Sequence, residues 1–246
     1  MAEAKKPKKK TRRSAWSALW RVVKWAAIAI ILVAVTPFIL TVIYRFDGIK
    51  PISTLMISQS LAGVPVSRQW VDLEDIAPQL KHSVIMSEDG QFCRHHGIDL
   101  GELKAVIDDA LAGEATRGAS TITMQTAKNL FLWNGRSFIR KGLEIPLAVW
   151  IDFVIPKDRI LEIYLNIAEW GPGIFGIDQA AGFHFGVNAD ALTQRQAALL
   201  AVTLPNPAVR DPSRPSNNLN RVARIIETRA RQAGDYVGCV NPSSSG

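Results

Sequence analysis

The chain has 246 residues, 48% of them hydrophobic, and a formal net charge of +7, enough for one folded domain beside an anchor. Residues 1–24 hold nine Lys or Arg and a single acid, Glu3, so the other residues sum to −1. A near-neutral body of this kind excludes a basic nucleic-acid-binding domain.

In chain order, residues 1–24 form a basic tail and residues 25–44 an uncharged apolar run, WAAIAIILVAVTPFILTVIY. Twenty such residues are long enough to cross a hydrocarbon core as a helix. Trp20 and Trp25 flank one end and Tyr44 the other, as interfacial anchors do. Pro37 is tolerated in membrane helices. The positive-inside rule puts the tail in the cytoplasm and residues 45–246 across the membrane. A cleaved signal peptide is the competing reading. The apolar run exceeds a signal core, and no small-x-small cleavage site follows it.

Residues 45–70 read as a juxtamembrane connector of mixed character, in which Ile52, Leu55, Met56, Leu61, Val64 and Val66 face lipid or the domain. Helical periodicity dominates residues 71–236. Asp72 caps a predicted helix running to about Met86, with Leu80, Val84 and Ile85 inward. Asp99 caps the next, with Leu103, Val106, Ile107 and Leu111 on one face. A glycine-rich loop, 113–118, leads into a helix from near Ser120. Ser137 caps a long helix towards Ile155, kinked or interrupted near Pro146. Pro156 opens the helix that holds Lys157 to Asn166. Thr193 and Gln196 form a capping-box pattern, and Asn220 to Ala233 a last helix stopped by Gly234. Residues 237–246 read as a flexible tail. Strand patterns are scarce, so the fold class is mainly α. Cys93 and Cys239 lack metal-binding spacing and are either a disulfide or two thiols.

Chemistry concentrates in four blocks. Glu88-Asp89-Gly90-Gln91-Phe92-Cys93-Arg94-His95-His96-Gly97 pairs two carboxylates with two imidazoles. A partly buried acid beside another acid has a raised pKa, which suits a general base. Solvated loop acids are the plainer alternative. One histidine reads as a hydrogen-bonding orienter, since no HExxH spacing for zinc occurs. Gly118 to Gln125 places hydroxyls and amides at a loop-to-helix junction, either as an ordinary cap or as an anion or sugar site. Lys128, Arg136, Arg140 and Lys141 gather near a second carboxylate, Glu144, and suit a phosphate or pyrophosphate. An Arg140–Glu144 salt bridge one turn apart is the simpler reading. Lys157 to Asn166 is amphipathic and mostly structural, with Glu162 and Asn166 fixing neighbouring loops.

Together these blocks resemble the peptidoglycan glycosyltransferases, the glycan-polymerising domain of class A penicillin-binding proteins and its monofunctional relatives. The family's EDxxFxxHxG is matched at Glu88, Asp89, Phe92, His95 and Gly97. GxSTxTQQ is matched at Gly118, Ser120, Thr121, Thr123 and Gln125, with Met124 in place of the first Gln. RKxxE falls at Arg140, Lys141 and Glu144, and KxxILExYLN at Lys157, Ile160, Leu161, Glu162, Tyr164, Leu165 and Asn166. Arg221 and Arg224 correspond to a weaker fifth, basic motif. The similarity runs from about residue 70 to residue 230. The segment from Asn166 to Gly186 resembles the monofunctional branch of Gram-negative bacteria. Neither SxxK nor KTG occurs, so no transpeptidase follows. Pro146 is not expected from the family.

The resemblance implies a lysozyme-like α-helical domain after a single transmembrane helix, in the bacterial inner membrane with the catalytic domain periplasmic. It implies inverting transfer of a growing lipid-linked glycan onto the GlcNAc 4-hydroxyl of lipid II, with release of undecaprenyl pyrophosphate. Glu88 and Glu144 are the implied catalytic pair. Asp89, His95, Ser120, Thr121, Gln125, Lys128, Arg136, Arg140 and Lys141 are the implied substrate-binding residues. Phe92, Gly97, Gly118, Glu162, Tyr164 and Asn166 are the structural positions of the motifs. A divalent cation, magnesium or manganese, is the implied cofactor, with no ligand set assigned and no organic cofactor. The implied partners are lipid II, growing glycan chains, membrane lipid and other cell-wall synthesis proteins, not nucleic acid. Glu144 is left to orient the acceptor, the metal or the cations. A membrane-anchored glycan-cleaving enzyme and an inactive cell-wall scaffold are the competing functions.

Overall fold

The structure is a computed structural model that describes residues 11–112, 118, 120–135 and 137–241. The chain divides into two units, Met1–Leu40 and Thr41–Gly246. Helix α1, Thr11–Tyr44, supplies the described part of the first unit and ends in the second. Its stretch Trp16–Tyr44 is long and apolar enough to cross a membrane, and Trp16 and Trp20 meet edge to face at 6.5 Å. Large apolar side chains along it, among them Ile30, Leu32 and Val33, are exposed. Such a surface is compatible with a lipid solvent, where exposed apolar area carries no hydration cost.

The second unit begins with helix α2, Thr54–Leu61, and strand β1, Ser67–Arg68. The expected connector is therefore partly folded: Ser53 caps α2 and Met56 enters the core, whereas Ile52 and Leu61 stay exposed. Arg159 ties its start down. The Arg159 guanidinium donates to the carbonyls of Tyr44 (3.1 Å), Phe46 (3.0 Å) and Ile49 and pairs with Glu162. Five donors in a planar fork let one side chain gather several carbonyl oxygens.

Asp72 does not cap a continuous helix. Residues Leu73–Asp75 form a 3-10 turn, and helix α3, Pro78–Glu88, starts afresh at Pro78. Proline suits a first helical turn, where its missing N–H goes unused. Leu80, Val84 and Ile85 of α3 are fully buried, as their spacing predicts. Helix α4, Leu100–Leu111, is capped by Asp99, which accepts from the Glu102 N–H at 3.0 Å. Leu111 is exposed rather than inward, and the loop 113–117 lies outside the described residues.

Helices α5, Ile122–Phe131, α6, Phe138–Val154, and α7, Lys157–Ile167, follow. Helix α5 packs on both α6 and α7. Ser137 caps α6, and Pro146 lies inside that helix without ending it. Every residue of α7 from Arg159 to Ile167 is buried, making it the central helix of the domain. Its Asn166 clamps the chain before α3: Oδ1 accepts from the Val71 N–H and Nδ2 donates to the Val71 carbonyl, both at 2.8 Å.

Strands β2, Glu169–Gly171, and β3, Ile174–Phe175, join β1 in a small sheet of order β1-β3-β2. β1 runs parallel to β3, with Ser67 opposite Ile174, and β2 runs antiparallel to it. Helices α8, Ile177–Phe185, α9, Gln194–Ala201, and α10, Asn217–Arg231, complete the domain, with α9 and α10 packed on α3 and on each other. The Thr193–Gln196 capping box forms at α9. Helix α10 starts earlier than expected, behind Ser216 as cap. The tail expected from residue 237 begins inside a 3-10 segment, Gly234–Val240, whose Val237 and Val240 are buried. Cys239 in that segment is disulfide-bonded to Cys93.

Candidate active site

Glu88 ends α3 and Asp89 leaves the helix, so the two neighbouring carboxylates point to different partners. Asp89 is buried. Its oxygens lie 2.9 and 3.0 Å from His95 Nε2, and Oδ2 also accepts the Ile122 N–H at 2.9 Å. Asp89 and His95, expected to bind substrate, are thus tied to each other and to the first turn of α5. Phe92 is fully buried, with the Lys157 ammonium 4.6 Å from its ring centroid. Gly97 has φ +82°, and a Cβ there would sit 2.5 Å from the Ala148 carbonyl oxygen. Glycine is therefore required where this loop crosses α6.

Thr121 joins the first two motifs. Its hydroxyl donates to the Gly97 carbonyl at 2.6 Å and accepts the Met124 N–H at 3.1 Å as the cap of α5. Thr121 is buried, with its hydroxyl engaged in both of these bonds. Met124 is also buried. Gly118 is exposed with open space around its Cα, and Arg136 lies outside the described residues.

Glu88 keeps its side chain toward the α5 face. Gln125 Nε2 donates to Glu88 Oε2 at 3.0 Å, and the Tyr164 hydroxyl donates to Gln125 Oε1 at 2.9 Å. Burial raises the Glu88 pKa above its ordinary value, against the hydrogen bonds from Gln125 and Ser87 and the charge of Arg210, which favour the anion. A carboxylate more basic than a solvated one suits a general base.

Lys128 lies one helical turn beyond Gln125 on α5, so both fall on one face. Burial and the neighbouring Arg140 lower the Lys128 pKa, while Glu88 and Glu169 raise it. Arg140 and Lys141 come from the first turn of α6. The Arg140 guanidinium pairs with Glu144 Oε1 and donates to the Gly135 carbonyl at 2.9 Å. The Lys141 ammonium lies 3.0 Å from Glu144 Oε2 and 2.5 Å from Ser120 Oγ. Burial, Arg140 and Lys128 lower the Lys141 pKa to about 8. Like charges crowded this closely repel unless an anion joins them. Glu144, only 3% exposed, is the carboxylate that holds two of them together.

The divalent cation implied by the family pattern meets an unsuitable donor set. Both Glu144 oxygens face cations, and those of Asp89 are engaged by His95 and the Ile122 N–H. No group of three His, Cys, Asp or Glu suited to a metal occurs among the described residues. His96, the second imidazole, is exposed and lies 3.6 Å from Asp152.

Sequence reasoning did not single out Arg159, Arg210 or the Tyr164 hydroxyl contact. Arg159 and Tyr164 sit inside the fourth motif, where their types were visible but their partners were not. Arg210 lies in a loop without periodicity, and only the fold brings its charge near Glu88.

A family model described as Transglycosylase matches residues 56–230. Proteins named biosynthetic peptidoglycan transglycosylase are similar over most of the chain. That of Mesorhizobium japonicum is 57% identical over 223 residues, 90% of this chain and 94% of its own length. That of Rhizobium johnstonii is 54% identical over 228 residues, 93% of each chain. That of Brucella suis is 57% identical over 211 residues, 86% of this chain and 94% of its own. With its four motif blocks assembled around α5 and a family match over most of its length, the chain belongs to the transglycosylase family.

Proposed function

We propose that this protein is a membrane-anchored peptidoglycan glycan polymerase that uses lipid II as acceptor and a growing lipid-linked glycan as donor. The observation that carries this reading is Glu88 held by Gln125 of α5, with Lys128 one turn further along that helix and Arg140 and Lys141 gathered on Glu144 of the adjoining α6. Glu88 takes the proton of the acceptor's GlcNAc 4-hydroxyl. The freed oxygen bonds to the donor's anomeric carbon as the bond from that carbon to the pyrophosphate oxygen breaks. Undecaprenyl pyrophosphate leaves with the electron pair, and the configuration inverts.

A pyrophosphate is a weakly basic leaving group, so it needs positive charge more than a proton. Lys128, Arg140 and Lys141 supply that charge, without a protein-held divalent cation. Glu144 acts on these cations rather than as an acid, because both its oxygens already face them. Gln125 orients Glu88, and Ser120 stands beside the Lys141 ammonium, where a donor phosphate would enter.

Helix α1 would confine the domain to the membrane that carries both lipid-linked substrates. The basic tail would stay in the cytoplasm and the domain would face the periplasm of a Gram-negative cell. The Cys93–Cys239 disulfide supports that side, since disulfides persist outside the reducing cytosol. Exposed apolar residues on α6, Phe138, Ile139, Val149 and Phe153, suit a domain working against lipid.

Incubation with lipid II and, separately, with purified cell wall tests the reading. Lengthening glycan from lipid II with the wall intact supports it. Shortened wall glycan without polymer would point to a cleaving enzyme, and no turnover of either to a scaffold.

A further inference from the structure

A pocket of about 310 Å³ opens where the loop after α9 meets the start of α10. Val202, Leu219 and Val222 give it an apolar lining, and Arg210 and Arg214 bring two guanidinium groups to it. Its one acid, Asp211, is engaged locally. Asp211 Oδ1 accepts from the Ser213 hydroxyl (2.6 Å), the Ser213 N–H (2.8 Å) and the Arg214 N–H (3.3 Å). Neither arginine makes an ion pair among the described residues. Arg210 donates to the Val202 carbonyl at 2.6 Å and retains its other donors. Both arginines are exposed as residues and line the pocket, so their remaining donors are available to a ligand.

The ligand chemistry follows from the lining. Two guanidinium forks match a carboxylate, and an apolar floor suits small alkyl side chains. The pocket sits on α9 and α10, the two helices packed on α3, whose last residue is Glu88. An acceptor whose hydroxyl meets Glu88 carries its peptide on the next sugar. We propose that this pocket binds the stem peptide of the acceptor lipid II, with Arg210 and Arg214 on a peptide carboxylate and small side chains against Val202, Leu219 and Val222. This rests on the glycan-polymerase reading and adds a determinant of which acceptors are used.

The test compares full-length wild type and Arg214→Ala on two substrates: lipid II with its peptide, and the same lipid-linked disaccharide without peptide. Arg214→Ala is expected to raise KM for lipid II about tenfold, the size of one lost charged hydrogen bond, with kcat within about twofold. On the peptide-free substrate it should match wild type, and Arg214→Lys should fall between. Thermal melting checks that each variant is folded. An unchanged KM on lipid II would overturn the proposal. So would an equal rise on the peptide-free substrate, which would assign the anion to the pyrophosphate. Wild type that builds no polymer from either substrate would instead overturn the functional reading beneath it.

Discussion

The Tyr164 hydroxyl donates to the Gln125 carbonyl oxygen at 2.9 Å, which turns the Gln125 amide nitrogen toward Glu88. Tyr164 is buried in the central helix, and its pKa is held well above the ordinary value by burial and by Glu88 and Asp89. It therefore remains a donor at every working pH. Gln125 cannot then flip its amide without losing both bonds.

Removing that donor tests the relay. Tyr164→Phe keeps the ring in its buried place and frees the Gln125 amide to rotate. Polymerisation kcat is expected to fall about tenfold, within the range of a positioned acid–base contribution. Gln125→Ala should fall at least as far. Initial rates with lipid II check both, with thermal melting as control.

The pH profile of kcat/KM should be bell-shaped. Glu88 works only when deprotonated, and its folded pKa is raised, so activity falls as pH drops through a value above the ordinary 4.5. Lys141 works only when protonated, and its pKa is lowered to about 8, so activity falls as pH rises past about 8. Arg210→Ala removes a charge that favours the Glu88 anion, which moves the acid limb to higher pH and leaves the basic limb in place. Rates measured from about pH 5 to about pH 10 resolve both limbs.

Glu144→Gln separates a cation-holding role from an acid role. The neutral amide no longer offsets Arg140 and Lys141, so the two cations spread apart. Turnover is expected to fall about 10²-fold, with weaker inhibition by inorganic pyrophosphate. Unaltered pyrophosphate inhibition would argue that Glu144 acts elsewhere in the reaction.

Two ties outside the reaction should show as stability. Arg159→Met strands the buried Glu162 carboxylate and releases the carbonyls of Tyr44, Phe46 and Ile49. Loss of one partner of such a buried pair costs about 3–5 kcal/mol. Reducing Cys93–Cys239, which closes a loop across a separation of 146 residues, should cost about 2–4 kcal/mol. Thermal melting with and without reductant reads both effects.

Features legible in the sequence were local ones. Ser137, Thr193 and Asp99 announce helix starts because a cap bonds within three residues. The ordered motif blocks gave the family because they are contiguous runs. The break at Pro78 was hidden by an apolar pattern that continues through it. Cys93 and Cys239 could not be paired from spacing, since their contact depends on where Gly234–Val240 packs. The partners of Thr121 and His95 were not legible because polar side chains read alike in sequence whether they face solvent or each other. Arg210 reaches the Glu88 field through a loop that no periodicity places.

Single-turnover polymerisation of lipid II by Glu88→Gln probes the chemistry most directly. The isosteric amide keeps the shape of the α3 end but cannot accept the hydroxyl proton. The rate should drop at least about 10³-fold while lipid II binding and the melting temperature stay near wild type. Polymer formed at a near-normal rate by this variant would contradict Glu88 as the base.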